Sequence, residues 1–222
     1  MSYQFNWAAV LVHWPQLAKG LLFTLQIVFV SYAISLVIGL VVGLLRLSPS
    51  KLVRAFAFAY TQFFRAVSTY ISIIWIYFGL AIAIGLKLSP FAAGVCAIVL
   101  LNSAYMAEIY RSAISSVDAG QREVAYSLGM GRIATFFDIV FPQALRIAVP
   151  QLINQFAFAV KDSAIVALIG ASDLMYESMR AANTEFLSFE FYTTAAAIYL
   201  AIVFIASGLG HLAERRLALG HA

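Results

Sequence analysis

From Gly20 to Leu45 the chain carries no charged residue, and the next charge is Arg46. A helix of that length crosses the roughly 30 Å hydrocarbon core of a bilayer. The chain as a whole points the same way: of its 222 residues 63% are hydrophobic and 11% charged. An average soluble domain is about 25% charged. A water-soluble fold would have no means of hiding this much apolar surface, so lipid is the expected solvent. Along the first run Ser31, Ser35, Gly39 and Gly43 recur every four residues. That spacing puts small side chains on one ridge, where a second helix can approach closely.

The other apolar runs predict four further spans, five in all. They are Leu52–Leu86, interrupted by Arg65; Phe91–Tyr110; Phe136–Ile169, broken by Pro142 and Pro150; and Phe191–Gly210. Arg65 leaves two readings open: a span that starts only at Ala66, or an arginine facing protein. Residues 1–19 read as an extracytoplasmic interfacial segment, with Tyr3, Trp7 and Trp14 at headgroup level and Pro15 ending or bending it. They lack the basic start and cleavage site of a signal peptide. Residues 20–213 then form the transmembrane domain, with a charged loop over 111–135, and 214–222 a tail.

Arg46, Lys51, Arg54, Arg111, Arg122, Arg132, Arg215 and Arg216 fall on one side of these spans. Lys19, Lys87 and Arg180 fall on the other. The basic side is expected in the cytoplasm, which puts the N-terminus outside, the C-terminus inside and the charged loop inside. Basic residues form no stripe, which argues against nucleic acid. Cys96, the only cysteine, is expected to be buried. His13, His211 and His221 are isolated, so no metal site is expected, and the absence of a Walker loop predicts no ATP bound by this chain. No internal repeat occurs, so a solute pathway is expected between two such chains.

The charged loop contains a short helical pattern, Gln121–Leu128. Gly120 is the expected N-cap and Glu123 is expected in the first turn, against the positive helix end. Val124 and Leu128 share one face with Ala125 beside them, and Gly129 permits the left-handed stop. By itself this is either a helix lying on lipid or one docking into a partner's groove.

Reading on, Glu123-Val124-Ala125 and Gly129 are followed by Ile139 and Phe141-Pro142. This resembles the signature of permease subunits of ATP-binding-cassette importers: Glu-Ala-Ala, a Gly, and Ile-x-Leu-Pro at the same spacing. Val124 and Phe141 depart from it but stay apolar. Further stretches, "LSPFAAGVCAIVLLNSAYMAEIYRSAISSVDAGQREVAYSLG" and "PQALRIAVPQLINQFAFAVKDSAIVALIG", resemble the polar amino-acid uptake branch over nearly the whole chain. After Phe64-Arg65 that branch tends to carry Gly-Thr-Pro, and Ala66-Val67-Ser68 stands here instead, which suggests a differently shaped pathway.

The resemblance implies an all-α membrane protein of the type I importer permease fold. Its Gln121–Leu128 helix would be a coupling helix on a cytoplasmic ABC ATPase dimer, which binds ATP and Mg. Arg122, Glu123, Val124, Ala125, Leu128, Gly129 and Pro142 would carry the coupling. Other implied partners are a second permease, identical or sister, and a periplasmic solute-binding protein. The implied location is the bacterial inner membrane.

Asn102, Glu108, Lys161, Asp162 and Ser163 lie in or near spans, where charge costs roughly 2.5–3.5 kcal/mol. Lys161 and Asp162 diverge by about 100° on a helix. Asp162 and Glu108 suit a ligand ammonium and Lys161 a ligand carboxylate, while a Glu108–Lys161 clamp or a Glu108–Arg111 pair are structural alternatives. Rival classes are an ATP-independent secondary transporter or channel, and an intramembrane enzyme using Glu108 or Asp162.

Overall fold

The computed structural model describes residues 5–218, all helix and connection with no strand among them. Tyr3 and the side chains of Arg215 and Arg216 lie outside the described residues. The helices are α1 Ala8–Val12, α2 Trp14–Leu45, α3 Lys51–Ala66, α4 Thr69–Ile84, α5 Pro90–Ser115, α6 Ala119–Ser127, α7 Arg132–Ile169, α8 Leu174–Glu185 and α9 Ser188–Ala218. Four of them, α2, α5, α7 and α9, are long and apolar enough to span a membrane. The bent pair α3 and α4 makes a fifth only when taken as one span.

Several boundaries differ from the sequence expectation. Pro15 does not end a segment but sits in the first turn of α2, where its missing N–H costs nothing. The expected run over Leu52–Leu86 is two helices. The break at Val67 and Ser68 needs neither Gly nor Pro, because Ser68 is simply extended (φ −66°, ψ 138°). Arg65 therefore lies one residue before the end of α3, its guanidinium 5.3 Å from the centre of the Tyr105 ring. Nor do Pro142 and Pro150 break the fourth span. Pro142 follows a π-helical turn, Thr135–Val140, whose wider winding absorbs a missing amide, and Pro150 is carried inside the helix. Cys96 is exposed rather than buried. Its neighbours Ala97 and Ile98 take the inward face of α5, and the thiol points out.

By contacts the chain divides into two units. The first comprises Met1–Ala33, Val67–Leu100 and Ala157–Ile205. Its core is Ile27, Ile73, Ile98 and Val166, all fully buried. A second cluster seats Ala9, Val10 and Leu17 against Leu174, Ala181 and Phe191. Polar contacts pin the same region: the Asn6 amide donates to Glu190 Oε1 at 2.8 Å, and His13 Nε2 meets Glu185 Oε1 at 2.9 Å. Gln16 and Glu185 accept from the two ring nitrogens of His13 and hold its pKa above the usual histidine value. Trp7, Leu11, Val12 and Trp14 remain exposed.

Asp173 caps α8, its Oδ1 accepting from the Tyr176 amide at 2.9 Å and its Oδ2 from the Tyr199 hydroxyl at 3.2 Å. Burial pushes this carboxyl up to about 6 despite those bonds. The folded chain thus keeps a proton that the unfolded chain has released between roughly pH 4 and 6. The contribution of Asp173 to stability falls as pH rises across that window and is flat above it. Asp173→Asn is expected to keep the cap and abolish this slope. It should gain about 3 kcal/mol at pH 7, read as the melting midpoint of the detergent-solubilised chain against pH. An unchanged slope in the variant would assign it elsewhere.

The second unit comprises Ile34–Ala66, Leu101–Phe156 and Ala206–Ala222. Here the small-residue ridge of α2 meets α5. A Cβ on Gly39 would sit 2.6 Å from Met106 Cβ, and one on Gly43 2.9 Å from the Ala107 carbonyl oxygen. No larger side chain fits at either position, which is the close approach expected from the four-residue spacing. The charge is divided unevenly. The first unit holds only Lys19, Lys87, Lys161 and Arg180, and every other lysine and arginine belongs to the second.

Candidate functional site

The short helix of the charged loop is α6, Ala119–Ser127. Its N-cap is Asp118, not Gly120: Asp118 Oδ1 accepts from the Gly120 amide at 2.6 Å. A carboxylate supplies the acceptor that glycine lacks. With the helix starting at Ala119, Glu123 falls beyond the first turn, and its side chain is exposed. The C-terminus closes as expected. Gly129 has φ +80°, its amide donates to Tyr126 O, and Met130 N donates to Ala125 O, each at 3.0 Å. This crossed pair is a Schellman cap, and a side chain at Gly129 would strain it.

Arg122 turns back. Its Nη2 donates to the Ile114 carbonyl at 2.8 Å, satisfying an acceptor in the last turn of α5. Ala125 is buried at 3% exposure. The opposite side is open: Val124 is 61% and Leu128 77% exposed. Tyr126, Ile133 and Phe137 are also exposed. So α6 is a stiff, doubly capped rod, tied to α5 by Arg122, with an apolar face that none of the described residues covers. Pro142 lies beyond it, early in the span α7.

The intramembrane polar candidates fall in both units. Asn102 Oδ1 accepts from Gln155 Nε2 at 2.6 Å, a link between α5 and α7. The Glu108 carboxylate bridges two arginines: Arg46 Nη1 lies 3.3 Å from Oε2, and Arg111 Nε donates to Oε1 at 3.0 Å. The Glu108–Arg111 alternative is thus realised, and Arg46, which reads as a loop residue, is the partner that sequence spacing misses. In the first unit Ser163 is buried and its hydroxyl donates to Val160 O. Lys161 is exposed, its Nζ 4.3 Å from the centre of the Phe158 ring. Asp162 is half-buried. Tyr60, whose hydroxyl meets Ser103 Oγ at 2.7 Å, also escaped the sequence reading, because aromatic residues abound here and only contact distinguishes one. Among the described residues no cluster of three metal-ligating side chains occurs.

Residues 35–219 match the family described as "Binding-protein-dependent transport system inner membrane component". The chain belongs to that family. Relatives of this inner membrane component include the arginine transport system permease ArtQ of Bacillus subtilis, 33% identical, covering 96% of this chain and 97% of that one. The probable amino-acid ABC transporter permease YckA of the same organism is 37% identical, over 98% and 96%. The glutamine transport system permease GlnP of Escherichia coli K12 is 32% identical, over 97% and 99%. Among solved structures, an amino acid ABC transporter with histidines superposes with a TM-score of 0.91 at 34% identity, covering 96% of this component and all of that chain. Inward-facing MetNI, a methionine ABC transporter, reaches 0.77 at 21% identity over 90% and 95%, which speaks to fold. The component thus has the all-α type I importer permease fold.

Proposed function

We propose that this chain forms one half of the membrane pathway of an ATP-binding-cassette importer for a polar amino acid or amino-acid-like solute. The observation that carries the reading is α6: a capped, rigid helix that presents Val124 and Leu128 uncovered at the mouth of two spans. An exposed apolar face on a short tethered helix suits a groove on a partner. In this reading the partner is a separate ATPase dimer, which supplies ATP and Mg. Closure of that dimer drives α6 and rocks the spans. The names of the relatives, for arginine and glutamine, support a solute bearing both ammonium and carboxylate.

A second permease completes the pathway, and an external binding protein delivers the solute. The concentration of lysine and arginine in the second unit supports a cytoplasmic placement of that unit, with the N-terminus outside and the C-terminus inside. Glu108 is already held by two guanidinium groups, so Asp162 is the stronger candidate for a ligand ammonium, with Lys161 for the carboxylate and Asn102 and Ser163 as polar contacts.

The test is uptake into vesicles carrying this chain, its ATPase and its binding protein, scored over a panel of amino acids, opines and compatible solutes. Uptake should require ATP; accumulation without it would sink the importer reading in favour of a secondary transporter. Asp162→Asn is expected to raise the half-saturating solute concentration at least about tenfold, the loss of one charge-assisted contact. Basal ATP hydrolysis should stay unchanged.

A further inference from the structure

A groove of about 490 Å³ lies where α2 gives way to α3, and it is lined by four cations: Arg46, Lys51, Arg54 and Arg111. The acid beside them is Glu108, and it is shared between Arg46 and Arg111. Among the described residues Lys51 has no ion pair, and the Arg54 guanidinium donates only to the Ser48 carbonyl, at 3.1 Å. The groove also takes in the start of α3, whose first turn carries no acidic residue, so the positive end of that helix adds to the field. Phe58 and Leu47 supply apolar wall, with the Arg46 guanidinium 4.9 Å from the centre of the Phe58 ring. Four positive side chains converging on one cavity, with Glu108 the one carboxylate paired to them among the described residues, repel one another unless an anion joins them.

The depth of the groove narrows the anion's identity. Arg46 directly follows Leu45, the last residue of the spanning helix α2. The opposite side of α3 is apolar and open, with Leu52 74% and Phe56 78% exposed above a second groove of about 380 Å³. An apolar side of this kind belongs at membrane depth, against lipid or the second permease, so α3 lies at the level of the bilayer and its cationic face sits at headgroup level. Basic pockets at that level on membrane helices suit phospholipid head groups.

The geometry points to a binding site for the phosphate of an anionic phospholipid in the groove between Arg46, Lys51, Arg54 and Arg111. Lys51 and Arg54 form its exposed rim and select the headgroup charge. Arg46 and Arg111 form its floor, preorganised by Glu108. The inference rests on the membrane embedding of the chain and is independent of which solute is carried.

Native mass spectrometry of the full chain, released from detergent with phosphatidylglycerol or phosphatidylcholine, tests it. Phosphatidylglycerol should be retained in preference to phosphatidylcholine. Lys51→Gln with Arg54→Gln should reduce its retention about thirtyfold, the loss of two surface cations. Lys51→Arg, which keeps the charge, should bind as the wild type does. Both glutamine positions are exposed, so the double variant is expected to fold. Should it fail to, raising the ionic strength on the wild-type chain must release phosphatidylglycerol and leave phosphatidylcholine unaffected. Equal retention of the two lipids, or undiminished retention in the folded double variant, overturns the site. Complete displacement by inorganic phosphate assigns the groove to a soluble anion and overturns the lipid.

Discussion

Replacing Val124 and Leu128 together by aspartate is expected to abolish ATP-driven uptake, by at least about a hundredfold, with the chain still folded and inserted. Both side chains are more than half exposed, so the substitutions remove little packing within this chain. Between two proteins the same positions would be buried. Apolar anchors at the centre of an interface contribute about 2 kcal/mol or more each, and a carboxylate forced into that contact without a partner costs further. Two effects separate this outcome from simple unfolding. The melting midpoint of the isolated chain should stay near the wild-type value, and the ATPase should no longer copurify. Ser127→Asp, on the same helix and exposed, supplies the control for added charge alone. An assembled, solute-stimulated complex carrying both aspartates would refute the docking role of α6.

Glu108→Ala should be the most destabilising single change considered, by about 3 kcal/mol. The Arg46 side chain is only 10% exposed, that of Arg111 31% and that of Glu108 26%. Removing the carboxylate leaves two guanidinium groups facing each other with no counterion. For a chain of this size that corresponds to a fall in melting midpoint of about 10 °C. Combining Glu108→Gln with Arg111→Gln should restore part of the loss, because the repulsion goes with the second charge. If Glu108→Ala melts with the wild type but loses solute binding, the carboxylate belongs to the solute pathway instead of to the fold.

The two variants probe features of unequal legibility. The α6 helix was readable because everything it needs is local: an apolar pair four residues apart, a glycine at the stop, and prolines at a set distance. Its N-cap lies two residues before the sequence expectation, since Asp118 and Gly120 are both acceptable starts and only the direction of the Asp118 side chain chooses. The Glu108 bridge was half readable. Arg111 lies three residues away on the same helix, but Arg46 arrives from another element after a connection whose path no periodicity encodes. Cys96 shows the same limit, because a nearly all-apolar helix carries almost no signal for which side faces protein.

Residue chemistry read in order was enough to establish a multi-span helical membrane chain, a small-residue ridge on α2 at Gly39 and Gly43 open to close approach by another helix, and the short α6 helix with its glycine stop; the resemblance of its motif pointed to the family. The spans, the ridge and the helix follow from hydropathy, spacing and backbone freedom within one segment, and that the ridge meets α5 was decided by packing. Contacts between segments distant in the chain were needed to establish that Glu108 is an ion-pair bridge, that the second predicted span is a broken pair, that Asp173 is buried with Tyr199, and that four cations share one groove. Charges in a low-dielectric surrounding are placed by whatever partner packing brings within reach, and packing acts over distances that local sequence does not record.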